Sequence, residues 1–146
     1  MGISSNIDTR ALLKSLDNFP INVQKNIMSG AVRAGAKPLV DEARQNVPVR
    51  SKNLKKSIGI VKRRPRDRNI IQFSVTPRKG GRNDGWYAHL VEFGHNIVVD
   101  GKVVGQVTPN PFMRKAYESQ SDESIKATQE YLSKRIDKEI IKSRVK

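Results

Sequence analysis

Apolar residues first recur at helical spacing in Leu12, Leu13 and Leu16, a short stripe that Asp8 or Thr9 can cap and that Pro20 ends or redirects. A longer helix is expected from about Asn22 to Asn46. There Ile27, Met28, Ala31, Val32, Gly35, Leu39 and Ala43 return every three or four residues and leave one apolar face. Ala31, Ala34, Gly35 and Ala36 are small enough for another element to approach closely. Pro38 falls inside this pattern and should kink the helix or split it, and Pro48 closes it.

The period then changes. Residues 48–56 read as an ordered loop, and Ser57 to Arg64 as a strand with Ile58 and Ile60 on one face. A turn at Pro65 to Asn69 leads into a second strand, about Ile70 to Thr76, where Ile71, Phe73 and Val75 alternate with Gln72 and Ser74. The two strands suit a hairpin. Residues 78–85, RKGGRNDG, carry three glycines and no large apolar side chain, which predicts a mobile loop. Tyr87 to Phe93 fits a short helix ended by Gly94 in the left-handed conformation, and equally fits a strand. In NIVVDGKVVGQ, residues 96–106, two β-branched runs flank Asp-Gly, a strong hairpin signal. Asn110 as cap and Pro111 as first helical residue open a last helix, with a stripe of Met113, Tyr117, Ser121, Ile125, Leu132, Ile136 and Ile140. The polar run at 119–124 is a place where this helix could break.

These elements predict an α+β fold: a small antiparallel sheet of about four strands, packed by the long helix of the first half and by the C-terminal helix. The length, 146 residues, suits a single domain: a short helix in residues 1–20, a core in 21–118, and a helix and tail in 119–146. There is no cysteine, so disulfides and thiolate metal sites are excluded. The start lacks the pattern of a signal peptide and no apolar run reaches the roughly 20 residues of a membrane helix. A soluble chain, made in the cytosol and without a membrane partner, is expected.

Charge changes the picture more. From Arg44 to Arg82 stand 13 basic residues against one acid, Asp67, a balance of +12, while the rest of the chain holds 15 of the 28 basic and 13 of the 14 acidic residues, or +2. Such a patch attracts polyanions: nucleic acid, an anionic surface or an acidic protein face. A freely acting nucleic-acid-binding protein is therefore one reading. Against it, stacking on single strands needs exposed aromatics, and the basic stretch offers only Phe73, placed in a strand. A solvated basic surface without a dedicated ligand is the plainer alternative.

Catalytic patterns are missing. His89 and His95 stand six apart and do not share the face of a helical zinc site. There is no Gly-x-Ser-x-Gly element, and KGGRNDG does not join strand to helix at phosphate-cradle spacing. Asp41 and Glu42 are neighbours and point to different sides of a helix. Glu92 is the one acid between Asp84 and Asp100, too few for a carboxylate pair. No catalytic residue, metal ligand or cofactor site is assigned, and the chain is read as a non-enzyme.

Three stretches, taken in order, carry a resemblance. An alanine-rich helix leads into Pro48, Val49, Asn53, Leu54, Ser57 and Ile58; then come Tyr87, Ala88, Glu92, Phe93 and Gly94; then Pro111, Phe112, Met113 and Ala116. Over roughly residues 25–120 the chain resembles the siphophage tail-component family typified by the tenth gene product of a lambdoid coliphage. It departs at Ser51-Lys52, where that family usually has Thr-Gly. The resemblance implies a neck or tail-completion protein that joins head to tail as a ring. Its partners would be further copies of itself, the connector or stopper below the capsid, the tail terminator or tail tube, and the passing genomic DNA. Its place would be the head–tail interface of the virion, and the host cytoplasm during assembly.

On this reading Arg50, Lys52, Asn53, Lys55, Tyr87, Glu92, Phe93, Asp100, Phe112 and Met113 are candidates for the subunit interface. Arg63, Arg64, Arg66, Arg68, Arg78, Lys79 and Arg82 are candidates for facing DNA or an acidic partner. Glu92, an acid between two apolar residues, should need a partner if buried, and the basic residues of 50–68 would supply it, within the chain or across a boundary. The loops at 50–56 and 78–86 and the Asp100-Gly101 hairpin are the expected contact elements.

Overall fold

In the computed structural model, residues 8–48 and 52–145 are described. The chain runs through helices α1 (Thr9–Leu16), α2 (Ile21–Asn46) and α3 (Lys52–Ser57), then strands β1 (Ile58–Lys62) and β2 (Phe73–Pro77). Helix α4 (Ala88–Phe93), strands β3 (His95–Val99) and β4 (Lys102–Val107), and helix α5 (Phe112–Arg144) follow. The architecture is α+β. The four strands form two separate antiparallel hairpins, β1–β2 and β3–β4.

Asp8 caps α1 as its chemistry predicts, its carboxylate accepting from the N–H groups of Arg10 at 3.0 Å and Ala11 at 3.3 Å. Leu16 turns inward, and Gln129 of α5 donates to the Thr9 hydroxyl at 2.8 Å. The spine of the molecule is α2 against α5, running antiparallel. Ile27 and Ala31 meet Leu132 and Ile136 at one end, while Val40, Ala43 and Val47 meet Phe112 and Ala116 at the other. Between these clusters the helices touch through small residues. A side chain at Gly30 would strike the Tyr131 ring, and one at Gly35 would strike the Thr128 hydroxyl and come within 2.8 Å of the Ser124 carbonyl. Gly35 is thus required by helix contact, as the small-residue face suggests.

Three expectations need correction here. Pro38 does not split α2, which continues unbroken to Asn46. A proline inside a helix costs roughly 3 kcal/mol, and the core contacts on both sides of it, Ile27 and Ala31 before, Val40 and Ala43 after, hold the helix together. The polar run at 119–124 does not break α5 either, because Ser124 and Thr128 are the small partners that Gly35 admits. The expected stripe of α5 holds at its ends and fails in its middle. Leu132 and Ile136 are buried and Met113 and Ile140 pack on the core, whereas Tyr117 is 66% and Ile125 59% exposed. Phe112 and Ala116, outside the expected stripe, are buried in the first turns.

The stretch expected as a loop at 48–56 contains helix α3. Leu54 is buried on it, and the Ser57 hydroxyl, also fully buried, donates to the Leu54 carbonyl at 2.7 Å, closing the helix just where β1 begins. β1 and β2 pair in the register Ile58↔Pro77 to Lys62↔Phe73, and α2 packs on both strands. Ile58, Ile60 and Val75 belong to the core around Phe112. Strand β2 starts at Phe73 and not at Ile70, since residues 63–72 make a longer connection in which Asp67 accepts from the Asn69 N–H at 2.8 Å.

A candidate assembly interface

The second hairpin is where the Asp-Gly signal places it. Asp100 and Gly101 have φ of 51° and 75°, the paired positive values of a tight hairpin turn. Its strands pair from His95↔Val107 to Val99↔Lys102, with an irregularity after Ile97 that gives the arm an extra residue on β4. The arm has almost no cover. Val98 is 57%, Val103 63% and Val104 61% exposed, and Ile97, Val99 and Val107 are also exposed. Cross-strand partners share a face, so Val98 and Val103 lie on one side while Ile97 and Val99 lie on the other. A two-stranded hairpin apolar on both sides is marginal in water on its own.

The arm leaves the body through one residue. Gly94 has φ 70° and ψ 172°, a conformation that glycine adopts without penalty. It is positive in φ as expected, but extended in ψ and so not the left-handed helix cap. A Cβ there would lie 2.5 Å from the Val107 carbonyl oxygen and 2.9 Å from Pro109. The chain returns beside this exit, where the Asn110 N–H donates to the Val91 carbonyl at 2.8 Å.

Glu92 secures the same junction, but not in the expected way. Its carboxylate accepts from the N–H of Met113 at 2.9 Å and of Arg114 at 3.1 Å, the second and third residues of α5. The partner of Glu92 is therefore a helix N-terminus, and among the described residues no basic side chain of 52–68 forms an ion pair with it. Four amide hydrogens at a helix start lack internal acceptors, and the positive end of the helix dipole favours an anion. Pro111, at φ −75° and ψ 67°, stands outside the helix as its cap residue, and no side chain caps from that position. Asn110, the expected cap, instead receives the Phe112 N–H on its carbonyl at 2.8 Å. The signal was present as an acid 20 residues before the helix start at Phe112, a separation that helix-start patterns do not cover.

The remaining candidates divide. Phe112 is 0% exposed inside its own subunit's core, so it is withdrawn as an interface residue. Met113 and Tyr87 are half-buried against the same core. Phe93, by contrast, is 67% exposed at the foot of the arm. It lines a cavity of about 300 Å³ together with Val75, Glu92 and Met113. A second cavity of about 400 Å³, lined by Leu54, Tyr87, Leu90, Val91 and Val107, lies at the base of β4. Lys52, Asn53 and Lys55 are exposed on α3, and Asp100 is exposed at the arm's tip. Arg50 lies outside the described residues. Exposed Tyr117 and Ile125 on α5 are further apolar surface that the expected stripe had assigned to the core.

Among the basic candidates Arg63, Arg64, Arg66, Arg68, Arg78, Lys79 and Arg82 are all exposed. Arg63 donates to the Ser74 hydroxyl at 2.9 Å, and Arg78 to the Ser57 carbonyl at 3.2 Å. The ion pairs among the described residues are Glu123–Lys126 at 3.9 Å and Arg135–Glu139 at 3.3 Å, both on α5. The cations of the basic stretch thus have no carboxylate within salt-bridge distance among the described residues. The loop 78–85 has no regular structure. Its ends are joined by the Gly85 N–H donating to the Arg78 carbonyl at 2.9 Å.

The HK97-gp10-like family, described as "Bacteriophage HK97-gp10, putative tail-component", matches residues 10–94, more than half of the chain. The chain belongs to this family. The match begins in α1 and ends at Gly94, the exit to the arm, so α1–α4 and the β1–β2 hairpin are the matched part. The motif around Phe112 lies beyond it. No curated protein and no solved structure matches the chain. A member of this family is a bacteriophage tail component, a structural protein. No helix among the described residues is long and apolar enough to cross a membrane.

Proposed function

We propose that this tail component is a ring-forming subunit of the head–tail joint, with the β3–β4 arm as the element that grips the next copy. The observation that carries the proposal is the arm itself: β-branched side chains exposed on both faces of a hairpin that has little cover from its own body. Each such side chain gains on the order of 1 kcal/mol if its exposed half is covered. Half a dozen give several kcal/mol per contact, enough to drive association that a ring then closes. An arm projecting from one place on the subunit and seated at another place on its neighbour is a heterologous contact, which makes rings when the rotation closes. Sixfold or twelvefold closure, a position between the connector or stopper and the tail terminator or tube, and residence at the head–tail interface of the virion are parts of the same reading.

The test replaces apolar surface without unpairing the arm. Val98→Lys with Val103→Glu puts opposite charges on a cross-strand pair, which supports the hairpin, while removing one of its two apolar faces. Sedimentation velocity and negative-stain microscopy should show closed oligomers for the native chain and monomers for the double variant, with unchanged circular dichroism. Closed rings from the double variant would refute the role given to the arm, and a native chain that stays monomeric and is not incorporated into particles would refute the ring.

A further inference from the structure

A separate groove of about 600 Å³ runs between α2 and β1, lined by Arg33, Lys37, Arg44 and Arg78, with Asp41 as the one carboxylate. Its floor is small, with Gly30, Ala34 and Gly59 among the lining residues. We propose that this groove binds the phosphodiester backbone of DNA, independently of sequence and independently of the subunit contact made by the arm.

Three features support a phosphate ligand. The first is fixed geometry. Arg44 donates through Nε at 3.2 Å and Nη2 at 2.8 Å to the Ile58 carbonyl. Arg78 donates to the carbonyls of Ser57 at 3.2 Å and Lys56 at 3.4 Å. Both guanidinium groups are anchored by the fold and keep N–H groups that these bonds do not use, so little ordering remains to be done on binding. The second is uncompensated charge. None of the four cations has a carboxylate within salt-bridge distance among the described residues, and the lining carries a net +3. The third is shape. Arg33, Lys37 and Arg44 are spaced along one helix over roughly 16 Å at about 1.5 Å per residue. That row is long enough to follow one strand past more than one phosphate, with the number neutralised limited by the four cations of the lining. Val40, Ile60 and Tyr131 also line the groove, so the preference for a polyanion over a protein partner rests on its four cations against one carboxylate.

Arg33 and Lys37 are exposed, and the groove can be discharged through them while Arg44 and Arg78 keep their structural bonds. The probe is a fluorescein-labelled random-sequence DNA duplex, titrated by anisotropy with the full chain at several KCl concentrations. The native chain should bind, with a log–log salt slope of about −3, as expected for three to four neutralised phosphates at about 0.9 each. Arg33→Glu with Lys37→Glu should weaken binding at least tenfold and flatten the slope by about 2. Lys115→Glu with Lys138→Glu, the same charge change on α5 outside the groove, should weaken it less than threefold. Sedimentation of the same samples should show the groove variant in the native assembly state.

Four results would each overturn the proposal. They are no duplex binding at low salt, equal losses in the groove and control variants, displacement of DNA by polyglutamate at a lower charge concentration than by unlabelled DNA, or loss of assembly in the groove variant. The third would assign the groove to an acidic protein, and the fourth to a second copy of the chain. Failure of the arm test leaves this measurement intact, because the anisotropy titration reads the groove in whatever oligomeric state the chain adopts.

Discussion

Replacing Glu92 by alanine removes the acceptor for two main-chain N–H groups at the head of α5. Met113 is half-buried, so its N–H loses its partner with little water to replace it, whereas the N–H of exposed Arg114 can be solvated. Loss of a helix cap costs about 0.5–2 kcal/mol. An ionised acceptor raises the value of each bond to about 1.5–3 kcal/mol, and rehydration at Arg114 returns part of it. About 2 kcal/mol is therefore expected for Glu92→Ala. About 1 kcal/mol is expected for Glu92→Gln, which keeps one oxygen acceptor but loses the charge that the helix dipole favours. At roughly 2–4 °C per kcal/mol for a chain of this size, the alanine variant should melt about 4–8 °C lower. Urea unfolding followed by far-ultraviolet circular dichroism measures this, at a fixed protein concentration because assembly adds to apparent stability. The comparison variant is Arg63→Ala with Arg66→Ala. If Glu92 were held by the basic connection, as the sequence suggested, that variant would lose a similar amount; capping predicts a change within about 0.5 kcal/mol. An alanine variant at position 92 within the same margin of the native chain would refute the cap.

Two further outcomes follow from local geometry. Gly94→Ala forces a positive φ on a residue with a Cβ and places that atom 2.5 Å from the Val107 carbonyl oxygen; a loss of about 3 kcal/mol is expected, and a urea midpoint shift worth under 1 kcal/mol would contradict the crossing described there. Deleting residues 79–84 joins two ends already bonded between the Arg78 carbonyl and the Gly85 N–H, so the melting temperature should change by only a few degrees while assembly into particles is impaired; particles formed at the native yield would remove this loop from the contact surface.

What was legible in the chain was local. Asp8 as a cap, the period of α2, the pairing of β1 with β2 and the Asp-Gly turn of the arm each depend on residues a few positions apart, and each is present, with β2 starting three residues later than the alternation suggests. The family was legible too, through the motifs at 48–58 and 87–94 that fall within the matched residues 10–94. What the pattern misjudged were cases in which a distant surface outweighs local preference. Of the two outcomes open for Pro38, a kink or a split, the split does not occur, because α5 and the sheet hold both halves. The run at 119–124 stays helical, with Ser124 at its end lying against Gly35 of α2. Tyr117 and Ile125 fall outside the buried face of α5 while Phe112 joins it, packing with Val40, Ala43, Leu54 and Ile58.

The candidate sites divide along the same line. Composition alone determined that a strongly cationic third of the chain exists and that a β-branched hairpin exists, since both are properties of consecutive residues. Only the tertiary structure decided that the hairpin stands off with both faces in water, that Glu92 serves a helix starting 20 residues away, and that Arg33 and Lys37 join Arg44 and Arg78 in one groove. Exposure and convergence are set by which elements pack together, and that depends on shape complementarity between segments far apart in the chain.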